Sequence, residues 1–171
     1  MHSDIYLGED YISSNLKHWK YIKKERKNGR WIYYYNDPKE KQLENKVIDA
    51  DAEKEQHMYL INDLKEAKRR GKLGPEYESK NGVYESTILK YKNGKESDES
   101  ESVLYKSIDE GIKKHTQRLI DKDKEYTKAM KDYDSYSNSF KVKIRKNAVK
   151  TLNQLSNNIH NAKKFLKSIF K

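Results

Sequence analysis

The chain contains no cysteine, which excludes disulfides, thiolate metal sites and cysteine nucleophiles. Apolar residues are also scarce, at 34% against the ~45–50% of ordinary soluble domains, while charged residues reach 37%. A chain of this composition cannot bury a thick core. Its apolar side chains are expected in narrow stripes along helices or on one face of a small sheet, completed by partner chains. No run approaches the ~20 apolar residues that a membrane-spanning helix needs. The opening MHSDIYLGEDYISS lacks a basic segment followed by an apolar one, so no signal peptide is expected. Proline occurs only twice and glycine seven times, which leaves long stretches free to run as helix.

Acidic residues are missing from one region in particular. Residues 141–171 hold nine Lys/Arg and no Asp or Glu, whereas the other 140 residues carry 28 cations against 27 anions. Nearly all of the net +10 therefore sits at the C-terminal end, which points to an anionic partner.

The aromatic residues gather in one stretch of a chain otherwise poor in apolar residues. HWKYIKKERKNGRWIYYYND, residues 18–37, contains both tryptophans and four of the fourteen tyrosines. Asn28-Gly29 is the preferred pair for a two-residue type I′ turn, because both positions need positive φ. The turn sets a hairpin register of Lys27 with Arg30, Arg26 with Trp31, Lys24 with Tyr33 and Ile22 with Tyr35. Trp31, Tyr33 and Tyr35 then share one face, with Arg26 and Lys24 opposite them for cation–π rungs. A lone hairpin is marginal, so a helix or another chain should cover one side. Trp19, Tyr21, Trp31, Tyr33 and Tyr35 are the candidate partner-docking residues. Stacking of unpaired bases on these rings is the other functional reading, and cross-strand packing explains the same residues.

Asp37-Pro38 opens a helix as N-cap and N1. Residues 39–70 lack Gly and Pro, and Leu43, Val47, Ala50, Ile61 and Leu64 form a seam interrupted by Lys54 and His57. Gly71 and the following KLGP stop it. Such a seam seeks a partner helix. Residues 76–101 are expected to be irregular. VYESTILKYKNG could form a strand with Val83, Glu85, Thr87 and Leu89 on one face, and the acidic NGKESDESES reads as a flexible loop. Helical spacing resumes at Ser102, with Tyr105, Ile108, Ile112, His115, Leu119, Tyr126, Met130 and Tyr133 near one face, and SYSNS at 135–139 is a break.

Residues 141–171 show the clearest periodicity. Ala148, Leu152, Leu155, Ile159, Ala162, Leu166 and Ile169 are spaced 4-3-4-3-4-3, on a helix whose polar face is basic. Lys141, Lys143, Arg145, Lys146, Lys150, Lys163, Lys164, Lys167 and Lys171 are the candidates for an anionic partner. Such a helix could dock in a protein groove, contact phosphates or lie in a membrane interface, the last being least favoured. A bundle helix with a lysine-rich solvated face would look the same. The five histidines have no metal-ligand spacing, and no catalytic or nucleotide-binding motif occurs. A non-enzymatic protein without cofactor or metal is expected.

The lead YLGEDYISS followed by HWKYIKKERKNGRWIYYYND resembles the opening of small proteins encoded in the head-gene regions of phages and prophages of Gram-positive bacteria. In these, HWKYIKKE-x-x-NGKW-x-YYY precedes a charged, Tyr- and Lys-rich helical region. The likeness covers residues 18–37 closely and NAKKFLKSIFK, residues 161–171, loosely. It implies a virion-associated or head-assembly component made in the host cell cytoplasm, with capsid, portal or tail proteins as partners. It carries no site residues over.

The fold expected is mainly α: residues 1–37 an arm and aromatic hairpin, 38–75 a first long helix, 76–101 irregular, and 102–171 a helical region ending in the basic helix. The three amphipathic helices should form an elongated or oligomeric bundle, self-associating through their seams. The leading function is a structural or head-assembly accessory protein. The alternatives are a nucleic-acid-binding protein acting through residues 141–171, and an inhibitor of a host defence protein.

Overall fold

The computed structural model describes residues 21–78 and 81–169. Its elements run β1 (Ile22–Lys27), β2 (Arg30–Tyr35), α1 (Pro38–Arg70), a 3-10 turn (Pro75–Tyr77), β3 (Tyr84–Lys92), β4 (Lys95–Tyr105), α2 (Ile108–Ser137) and α3 (Phe140–Ile169). The strands form two separate two-stranded antiparallel sheets. The expectation of three helices in a bundle around an irregular acidic insert is therefore corrected. A second hairpin occupies 84–105, α2 begins at Ile108 rather than Ser102, and Tyr105 ends a strand instead of lying in a helical seam.

The same local plan occurs twice along the chain. Lys27-Asn28-Gly29 and Lys92-Asn93-Gly94 each close a hairpin, with φ of 51° and 77° at the first turn and 54° and 75° at the second. Asn-Gly tolerates these left-handed angles, and the resulting turn twist matches that of the strands. Each hairpin ends in a tyrosine, Tyr35 or Tyr105, followed by two residues and a long helix. Asp37 caps α1 by accepting from the Lys39 N–H at 2.9 Å. Ser107 caps α2 by accepting from the Glu110 N–H at 3.1 Å, while Glu110 accepts from the Lys106 N–H at 2.8 Å, a close relative of the capping box. Helix α1 ends in a Schellman arrangement around Gly71: the Lys72 N–H reaches Ala67 O and the Gly71 N–H reaches Lys68 O.

The chain divides into two compact units, residues 1–41 with 135–171 and residues 42–134. In the second unit, Leu60, Leu64 and Ala67 of α1 bury against Leu73, Tyr77, Ile88, Val103 and Tyr105, with Ile108 and Ile112 of α2 packed alongside. The Leu60, Leu64 and Ala67 stretch of α1 is thus covered by the chain's own second hairpin and by α2. Gly111, inside α2, permits this closeness, because an added Cβ would lie 2.8 Å from the Tyr105 ring and 3.1 Å from Leu64. The core face of β3 is Ser86 and Ile88, while Thr87 and Leu89 are exposed. Burial of Ile88 and Val103 anchors a β4 whose remaining residues are mostly polar.

In the first unit the hairpin has the register its turn dictates, from Ile22 opposite Tyr35 to Lys27 opposite Arg30. Ile22 and Tyr33 bury against Val149 and Leu152 of α3, with Trp31 and Tyr35 alongside. This core is thin, and a few buried side chains carry it, each contributing roughly 1.5–3 kcal/mol.

Candidate docking surface

The first hairpin and α3 are joined through side chains that read the strand backbone. Asn153 accepts from the Tyr33 N–H at 2.7 Å and donates to Tyr33 O at 2.9 Å. Ser156 donates to Trp31 O at 2.5 Å, and Arg30 donates to Asn157 Oδ1 at 2.7 Å. An amide side chain fits here because its one acceptor and two donors match the paired groups of an edge residue. Lys24 Nζ lies 5.0 Å over the Trp31 ring, a diagonal cation–π contact, and Lys27 lies 5.5 Å over Tyr34.

The rings expected to dock a partner pack in part against α3 of the same chain. Tyr33 is only 4% exposed, and Trp31 and Tyr35 are half-buried against the same cluster. Tyr21 is half-buried beneath the Arg145 guanidinium, 4.3 Å from its ring centre. Trp19 lies outside the described residues. Tyr33 thus belongs to the unit's own core, and Trp31 and Tyr35 keep only part of their surface outside it.

The nine expected anion-binding cations separate into distinct groups. Arg145 is buried, with its guanidinium 3.7 Å from the Asp37 carboxylate. Asp37 also accepts from Tyr35 at 2.7 Å and Tyr136 at 2.5 Å. Burial alone would raise the Asp37 pKa; the hydroxyls of Tyr136 and Tyr35 and the N–H groups of Lys39 and Glu40 outweigh it and hold the carboxyl below its ordinary value. Burial first, then the Asp37 carboxylate, pushes Tyr136 up to about 12. Lys146 is engaged as well, donating to Glu40 at 2.5 Å and to Ser137 at 3.0 Å. Arg145 and Lys146 therefore bolt the unit together. Lys141, Lys143, Lys150, Lys163, Lys164 and Lys167 are exposed, and Lys171 lies outside the described residues.

The end of α3 differs from its middle. Phe165 is 64% exposed, Leu166 51% and Ile169 57%. Together with Ala162 they extend the apolar stripe beyond the hairpin, beside Lys163, Lys164 and Lys167. Between the hairpin and the middle of α3 runs an open groove of about 580 Å³, lined by Arg30, Lys146, Val149, Lys150, Asn153, Gln154 and Asn157. It contains three cations, three amides and no acid.

The second unit contains a different cluster. Buried Glu53 pairs with Lys122 at 2.8 Å and Lys90 at 3.4 Å, and accepts from the Tyr91 N–H at 3.2 Å. Burial would raise its pKa; Lys122, Tyr91 and Lys90 overcome that and lower it. His57 and His115 are both buried, with their Nδ1 atoms 3.0 Å apart, so one donates and the other accepts. Among the described residues no group of three or more His, Asp or Glu could hold a metal ion. No described helix is long and apolar enough to cross a membrane.

No known protein family matches this chain, and no curated protein or solved structure shows significant similarity to it.

The sequence reading missed Asn153, Ser156 and Asn157, because polar residues on a helix look like solvated positions. The one available signal was their place beside the apolar stripe, where a half-polar contact with a strand edge is geometrically possible.

Proposed function

We propose that this protein is a non-enzymatic accessory component of a phage or prophage particle, docking on another virion protein through the distal end of α3. The observation that carries the reading is the exposure of Phe165, Leu166 and Ile169 on a helix whose other face is cationic. Burying such side chains contributes roughly 1.5–3 kcal/mol each, and the flanking lysines favour a surface that is apolar at its centre and acidic at its rim. The phage context rests on the resemblance of residues 18–37.

Removal of the hairpin would not test this, because it strips the core of the first unit. The informative variant is Phe165→Ser, Leu166→Ser and Ile169→Ser together, all at exposed positions. Co-purification of the tagged full chain with particles should be lost while circular dichroism stays that of wild type. Unchanged incorporation would contradict the reading.

A further inference from the structure

We propose that the basic groove between the first hairpin and α3 binds the phosphodiester backbone of nucleic acid, independently of sequence. Residues 1–41 and 135–171 hold 18 Lys/Arg against 6 Asp/Glu, while residues 42–134 hold 19 against 21. The whole positive excess belongs to the unit that forms the groove. Along α3, Lys143, Asn147, Lys150, Gln154, Asn157, Asn161 and Lys164 follow one another at 4-3-4-3-4-3 spacing, a row on one face of the helix of which Lys150, Gln154 and Asn157 line the groove and the others continue it at both ends. At 1.5 Å per residue this polar row extends for about 31 Å.

The chemistry of the row suits a phosphate track. Lysines pair with phosphates as point charges without demanding a fixed geometry. The amides donate to phosphate and sugar oxygens, which position a backbone without reading its bases. Arg30 stands at the hairpin side of the groove, steadied by Asn157 at 2.7 Å. No acidic residue lines the groove, and none follows Asp134 in the chain. A helix serving only as a solvated bundle face has no need to exclude carboxylates. Leu166 and Ile169 lie across α3 from this row, while Phe165 borders it beside Lys164, so the site meets the docking surface proposed above only at that edge.

Fluorescence anisotropy of the full chain with a labelled single-stranded oligonucleotide, and with a duplex of the same length, tests the site. Phosphate pairing by Arg30, Lys143, Lys150 and Lys164 should give a log–log salt slope of about −3. Lys143→Gln with Lys150→Gln should make that slope shallower by about 1.5, since each phosphate left without its cation removes roughly 0.7–0.9. Lys65→Gln with Lys113→Gln, exposed in the other unit, should leave it unchanged. Preference for either oligonucleotide identifies the natural form and supports the proposal. An equal slope in wild type and the Lys143/Lys150 variant overturns it. Binding to neither oligonucleotide at about 50 mM salt, the low end of the range in which such binding is strong, also overturns it, whether or not the protein then binds anionic vesicles.

Discussion

The two hairpins use the same turn and the same edge device, yet their sequences have little in common. In the first, Asn153 of α3 bridges both backbone groups of Tyr33. In the second, Gln56 of α1 does this for Leu89, accepting from its N–H and donating to its carbonyl, both at 2.8 Å. Each long helix thus lends an amide to a strand edge, satisfying groups that would otherwise invite another strand. The difference lies in the faces. The first hairpin covers itself with rings against α3. The second turns Ile88, Val103, Tyr84 and Tyr105 to its core beside a buried Ser86, and supports a polar β4 with ion pairs such as Lys92–Glu99 and Lys90–Glu101. A strand can therefore be built of Glu, Ser and Asp when its turn, two or three core residues and its charge partners all agree.

Truncation within each core should produce the largest effects. Leu152→Ala and Ile88→Ala, both at fully buried positions, should each cost about 2–5 kcal/mol in chemical denaturation. If Ile88→Ala proves neutral, the second hairpin is not held by its core. Gly111→Ala comes next. Its methyl would press on the Tyr105 ring and Leu64, and overpacking of this kind costs about 1–3 kcal/mol. Gain of stability from the better helix former would contradict the close packing.

Acid should separate the two units more finely. Burial first, aided by the Arg118 cation for His57 and by His57 itself for His115, pushes both imidazoles down to about 4 from an ordinary 6.5. Arg118, Lys122 and Lys90 surround the pair, with Glu101 the opposing charge. Their stabilisation is complete above about pH 6.5, the ordinary imidazole value. It is lost as pH falls towards about 4, because the unfolded chain binds protons that the folded one refuses. Residue-resolved denaturation from neutral pH down to about 4.5 should show residues 42–134 weakening first. Asp37 and Glu53, both held below their ordinary values, should release their stability only at lower pH. Equal weakening of both units over that range would remove the histidine pair from the account. The amide bridges should give effects no larger than that of Gly111→Ala. Asn153→Ala should cost more than Gln56→Ala, about 1–3 against about 0.5–1.5 kcal/mol, because the first bridge is part-buried and the second exposed.

What could be read from the sequence follows the same division. Asn28-Gly29 amid Trp and Tyr specified a hairpin down to its register, and Asp37-Pro38 and Gly71 marked both ends of α1. Asn93-Gly94 offered the same turn, but KESDESES has low strand preference, and its core residues, Val103 and Tyr105, lie beyond that acidic run. Helical spacing also accepted Tyr105, since a few apolar residues fit either period. At the candidate site, the basic stripe was legible because it depends on local spacing alone. The burial of Arg145 was not, because its partner Asp37 lies in the first hairpin's connection to α1. Covering of the aromatic face depended on pairing across most of the chain's length, which local pattern does not encode.

The aromatic hairpin is covered by α3 of its own chain. Amide hydrogen exchange of Tyr33, followed by NMR on dilute monomeric protein, tests it most directly. Slow exchange is expected, accelerated by Asn153→Ala. Rapid exchange of the Tyr33 amide in the wild-type monomer would contradict it.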